Sequence, residues 1–229
     1  MPKIVQPTYI AKLPSTGKPI EFRPFSIREE KSLLLALQED SIETLAATIK
    51  NIVSVCTDGK LSVATTPYYD VEYMFMQIRS KSIGEIVDLI GTCDCEPNKT
   101  TEFSVDIADV TVEPKPTGNA KIKILDTDYS IELQHPSIDD FVTTFKSGGA
   151  DAANVVANCI VHVYTEDEVM NWSEAETLDF VESMTTRQQK EISEYLSDMP
   201  MVKLPTPFKC RHCGKEHNNK MSGFENFFV

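Results

Sequence analysis

Four of the six cysteines stand in two tight pairs, Cys93-Asp94-Cys95 and Cys210-Arg211-His212-Cys213. Residues 96–209, 114 of them, separate the pairs. Thiolates are soft, charged ligands, and a structural zinc ion takes four of them in a tetrahedron at about 2.3 Å. Two close cysteines on a tight turn supply two corners, and Gly214 suits the turn that crowds backbone N–H groups around the sulfur. Bringing the pairs together closes a long loop at a cost of about 4 kcal/mol. A structural zinc site returns an apparent 10–16 kcal/mol or so, which offsets that closure. Any fold of this chain therefore has to deliver its tail back to its middle.

The flanks of the two pairs are alike. Asn98-Lys99-Thr100-Thr101-Glu102-Phe103 follows the first, and Asn219-Lys220-Met221-Ser222-Gly223-Phe224 follows the second. Leu89-Ile90 precede the first pair as Phe208 precedes the second. Two strand–knuckle–strand units facing each other make a zinc ribbon. The metal ligands are read as Cys93, Cys95, Cys210 and Cys213, holding one structural Zn²⁺ per chain. His212 and His217 are alternative ligands, although four sulfurs already fill a tetrahedron. Free thiols and a redox C-x-x-C are the competing readings. The redox one lacks the βαβ pattern that surrounds such a motif. Cys56 and Cys159 fall on apolar faces and read as small buried hydrophobes, His135 and His162 as structural, and Trp172 as a packing anchor.

Composition narrows the function. The chain has 229 residues, 22 Lys plus Arg against 35 Asp plus Glu, and a formal charge of −13. Such a surface repels polyanions, which argues against a general nucleic-acid or anionic-membrane coat. Between Lys203 and Val229, however, five basic residues face two acidic ones, so contact with DNA or RNA stays open as a lesser reading. No apolar run approaches the roughly 20 residues of a membrane span, and the first residues lack the apolar core of a signal peptide. The expectation is a soluble protein made in a reducing cytosol, where cysteines are thiols or metal ligands rather than disulfides. No G-x-S-x-G, phosphate-binding glycine loop, G-x-G-x-x-G or H-E-x-x-H is present. A four-thiolate zinc leaves no open position for water. No enzyme, catalytic residue or small-molecule substrate is expected.

Periodicity and punctuation divide the chain into five stretches. Residues 1–25, with five prolines, read as an extended N-terminal arm that crosses a surface or reaches a partner. Residues 26–92 read as helical. Ser26-Ile27-Arg28-Glu29 is a capping box, Ser41 starts a face of Ile42, Leu45, Ala46, Ile49, Val53 and Cys56, and Pro67 opens a third helix. Residues 93–135 read as a β region with the first knuckle, including a hairpin around Asp126-Thr127-Asp128. Residues 136–200 read as helical again. There Val155, Val156, Cys159, Ile160 and Val163 share a helical face broken from its predecessor by Gly148-Gly149, and Ser173 and Thr185 head capping boxes. Pro200, Pro205 and Pro207 end helical structure, and residues 201–229 form the second knuckle, packed on the first. The fold class is α+β, mostly helical, with a small antiparallel β region and a zinc ribbon.

Three blocks carry a resemblance. Residues Glu21 to Lys31, Asp70 to Glu85, and Gln189 to Pro200 running on through the C-x-x-C to Phe227-Phe228 resemble, in order, a baseplate protein family of T-even-type myophages. Cys93 and Cys95 fall where that family has its upstream cysteines. The resemblance implies a non-enzymatic structural component of the contractile-tail baseplate hub, found in the virion and, during assembly, in the host cytoplasm. It implies partners among other hub proteins, the central spike or the tape measure. Its alternatives are a hub assembly chaperone absent from the virion and, below that, a cellular zinc-ribbon adaptor or nucleic-acid-binding protein. The arm from Met1 to Phe25 and the aromatic tail of Phe224, Phe227 and Phe228 are the candidate contact segments, with packing inside the chain as the alternative for both.

Overall fold

The computed structural model describes residues 4–39, 41–95, 100–147, 151–166 and 168–223. Alternating apolar residues shape the first element. Ala11 on strand β1 (Tyr9–Lys12), Leu13 just after it, and Ile20 and Phe22 on strand β2 (Pro19–Phe22) are all buried. The strands pair antiparallel from Tyr9↔Phe22 to Lys12↔Pro19. The turn closes through Leu13 N–H to Lys18 O and Gly17 N–H to Leu13 O. Residues 9–25, read as an arm from their prolines, thus form a hairpin whose inner face joins the main core, and Phe25 is buried with it.

Three helices follow. In α1 (Ile27–Gln38) the Ser26–Glu29 capping box is complete. In α2 (Ile42–Cys56) the Ser41 side chain accepts from Thr44 N–H. Pro67 sits at the N-cap of α3 (Tyr68–Ser82), where its fixed φ and missing N–H do no harm. The period-3.6 stripe Val71, Met74, Phe75 and Ile78 is fully buried and forms the centre of the core. Burying such side chains stabilises by about 1.5–3 kcal/mol each.

Strands β3 (Ile86–Thr92) and β4 (Thr100–Asp106) pair antiparallel in unbroken register from Ile86↔Asp106 to Thr92↔Thr100. After β5 (Thr111–Glu113) the chain leaves for a second cluster. There β6 (Ala120–Lys123) and β7 (Tyr129–Leu133) form the hairpin expected around Asp126-Thr127-Asp128. Helix α4 (Ile138–Ser147) packs back on the first core through a Tyr68–Phe141 ring stack at 4.3 Å. Helix α5 (Ala152–Cys159) is shorter than its apolar spacing suggested. Ile160 to Thr165 form β8, which pairs with β7 and then with β9 (Glu168–Met170). β-Branched and aromatic residues fit a pleated surface better than a helix, yet Val155 and Val156 are helical, so the pairing with β7 decides this stretch. Helices α6 (Glu174–Ser183) and α7 (Lys190–Ser197) complete a core of Ile124, Ile131, Leu133, Val155, Cys159, Val163 and Ile192.

The tail returns as β10 (Met201–Lys209) and β11 (Glu216–Met221). β10 pairs with β5 over Met201–Lys203 and with β11 over Leu204–Lys209. Pro205 and Pro207 lie inside β10. A proline fits a ladder only where its nitrogen faces away from a partner, and among the described residues no strand pairs with β10 on the β5 side beyond Lys203. The α+β class stands, but helix accounts for 38% and strand for 28%, so the chain is not mostly helical. The excess strand comes from β1 and β2 in the stretch read as an arm and from β8 and β9 in the stretch read as helical.

Candidate metal centre

Both cysteine pairs sit on hairpin ends. Cys93 and Cys95 follow β3, and Cys210 and Cys213 occupy the turn between β10 and β11. That turn closes through Cys210 N–H to Lys215 O and Gly214 N–H to Cys210 O, both at 2.9 Å. Gly214 has φ +74°, a conformation that penalises any Cβ. Arg211 N–H donates to Thr101 Oγ1 on β4 at 3.2 Å, tying one hairpin to the other.

The two halves meet through aromatic packing. The Phe208 ring stacks on Phe103 at 5.0 Å and on His217 at 4.5 Å. It also lies on the Gly91 backbone, where a Cβ would stand 2.7 Å from ring carbons. Gly91 is therefore the residue that lets β3 and β10 approach this closely, and its spacing alone gave no hint of that.

All four sulfurs lie within 4.8 Å of one another. Cys93 Sγ is 3.7 Å from Cys213 Sγ, and Cys95 Sγ is 3.7 Å from Cys210 Sγ. A disulfide would require about 2.05 Å. A tetrahedron with Zn–S near 2.3 Å has edges of about 3.8 Å, so these separations fit a tetrahedral metal. The donor set fits as well, since four thiolates and no carboxylate select a soft or borderline cation. Cys93 and Cys210 are buried, whereas Cys95 and Cys213 are exposed, so the cluster opens to solvent on one side.

The electrostatics point the same way. The backbone N–H groups of Cys213 and His212 pull the Cys210 thiol down to about 6, with the His212 N–H 3.4 Å from its sulfur. Desolvation, and then the neighbouring thiols, push Cys95 up to about 12. Four thiolates this close repel one another, and only a bound cation lets all four ionise. Neither histidine joins the cluster. Arg211 Nε donates to His212 Nε2 at 3.3 Å, and His217 lies flat on Phe208.

The other candidate residues are placed elsewhere. Burial raises Cys56 to about 11 and Cys159 to about 12, which keeps both as unreactive thiols. His135 is buried between the rings of Tyr69 and Tyr195, His162 lies on β8 rather than in a helix, and Trp172 packs on Tyr129 and Phe180. Asn98, Lys99, Gly148, Gly149, Phe224, Phe227 and Phe228 lie outside the described residues, so the matched flanks are seen only through Phe103, Asn219 and Lys220. Two buried carboxylates of α3 escaped the sequence reading: Asp70, which accepts from Ser15 N–H and Oγ, and Glu72. A helical face shared with Val71 and Met74 hid them.

A family model described as T4 bacteriophage base plate protein matches residues 6–229. Comparison with curated proteins and with solved structures gave no match.

Proposed function

The chain belongs to the T4 bacteriophage base plate protein family, and from that membership we propose that it is a non-enzymatic structural component of the contractile-tail baseplate hub. The carrying observation is the family match over nearly the whole chain, from residue 6 to residue 229. The cysteine cluster supports a structural role. Four sulfurs at tetrahedral spacing would close around one Zn²⁺, and such a centre shapes a surface rather than activating water. The chain then works through contacts with other baseplate components: hub proteins, the central spike or the tape measure. Its place is the tail baseplate of the virion, reached from the host cytoplasm. No helix among the described residues is long and apolar enough to cross a membrane.

The basic tail does not favour nucleic acid. Lys220 is 2.6 Å from Glu113, and Lys203 and Lys215 reach Glu113 and Asp94 at 4.0 Å, so three of its cations already face acids. An assembly chaperone is the competing role, and quantitative mass spectrometry of purified virions separates the two. A hub component appears in fixed ratio to other baseplate proteins. Absence from virions, with presence in assembly intermediates, would replace the structural role with the chaperone.

A further inference from the structure

The strand edges of this protein are not equally protected. Natural sheets guard a free edge by keeping it short or by placing lysine or proline on it. Here β6 carries Lys121 and Lys123, β1 carries Lys12, β2 begins with Pro19, β11 carries Lys220, and β5 and β9 have three residues each. β3 and its partner β4 have none of these devices, but β4 is tied to the β10–β11 hairpin through the Phe103–Phe208 stack and the Arg211 N–H to Thr101 Oγ1 bond, which leaves β3 as the open edge. That strand runs for seven residues, pairs with β4 without a bulge, and among the described residues no backbone hydrogen bond reaches its other edge.

The side chains along that edge are also unguarded. Ile86 and Ile90 are 64% and 68% exposed, and Ile83 just before them is 56% exposed. On the same outer face the register sets Ile86 opposite Asp106, Asp88 opposite Ser104 and Ile90 opposite Glu102. The face is thus an aliphatic strip set among three carboxylates, on a chain of net charge −13. None of the three forms an ion pair among the described residues, and Asp88 accepts only the Ser104 hydroxyl.

We propose that the free edge of β3 docks an extended segment of a partner protein in which apolar and basic residues alternate. The added strand hydrogen-bonds to the β3 backbone. Its apolar side chains extend the inner row of Val87 and Leu89. Its lysines lie over Ile86 and Ile90 with their methylene stems and carry the ammonium to Asp88, Glu102 and Asp106. That the partner is another baseplate protein rests on the functional reading above, whereas the edge and its chemistry do not.

The test uses the full-length, metal-loaded protein and three short capped peptides: alternating valine–lysine, alternating valine–glutamate, and valine–lysine interrupted by proline. Affinity is read by fluorescence anisotropy and the site by backbone amide exchange. The valine–lysine peptide should bind about tenfold or more tighter than either control and weaken as salt rises. It should slow exchange along β3. The double variant Ile86→Lys, Ile90→Lys removes two exposed aliphatic groups and adds charge to the edge, and Asp88→Lys reverses one carboxylate. Both should keep the wild-type melting temperature and lose most of the binding. Equal affinity for all three peptides, equal binding by both variants, or protection on another strand would overturn the proposal. So would dimerisation through β3, seen in sedimentation as a wild-type dimer that the double variant dissolves. None of these outcomes bears on virion composition, so the hub assignment fails or stands separately.

Discussion

Gly91 and Phe208 set how closely the two hairpins approach. A Cβ on residue 91 would sit 2.7 Å from the Phe208 ring, which is itself stacked on Phe103 and His217. With both ring faces already stacked, Gly91→Ala should destabilise by about 1–3 kcal/mol in urea unfolding. An unchanged midpoint would mean that the ring moves freely. A second residue with a defined consequence is Glu43. Lys146 at 2.5 Å, and then the Ser41 hydroxyl, lower its carboxyl from 4.5 to about 2. A depressed carboxylate stabilises the fold above its unfolded value, and that contribution disappears as pH falls from about 4.5 through about 2. The pair is exposed, so the effect is small. Urea midpoints of wild type and Glu43→Gln should differ at neutral pH and converge towards pH 2. A gap that widens on acidification would contradict the assignment.

The helices whose ends are written in side chains were the legible elements. Ser26, Ser41, Pro67 and Ser173 each mark a start found in the structure. At α6 the Ser173 hydroxyl accepts from Glu176 N–H while the Glu176 carboxylate accepts from Ser173 N–H at 2.8 Å. Ser173→Ala should therefore lose about 1 kcal/mol, measured by urea unfolding, and a loss near zero would mean that α6 starts elsewhere. The strands were less legible because the same residues satisfy two patterns. Val155 to Val163 keep helical spacing, yet the chain changes to strand at Ile160, where the β7 edge offers a ladder that no local signal announces. Prolines misled in the same way. They break helices, so residues 1–25 read as an extended arm, while Pro205 and Pro207 mark only the end of helical structure before the second knuckle. A hairpin and an edge-facing ladder tolerate them equally well. In the centre itself the four cysteines were legible from spacing, while the Gly91–Phe208 contact that positions them depends on packing between distant segments.

At the scale of the whole chain, the second hydrophobic cluster lies within the stretch that separates the cysteine pairs. The first core, by contrast, is completed by Val202 and Leu204 of β10, which return only after the residues of the second cluster. A metal at the four sulfurs would fasten the returning strands beside β3 and β4, and its removal should act there rather than everywhere. Chelation should leave α5, α6 and β7 protected from amide exchange while β10, β11, β3 and β4 open and the tail becomes sensitive to protease. Thiol counting on the same sample gives the stoichiometry. With metal bound, reagent should reach no cysteine in the folded protein. Chelation should release four thiols, since Cys95 and Cys213 already face solvent, and the buried Cys56 and Cys159 should react only on denaturation. One zinc per chain with that four-then-two order would fix the cluster as the staple of the fold. If the tail resists protease equally with and without metal, then the Phe208 stack and the β5–β10 ladder hold it alone, and the cysteines need another explanation.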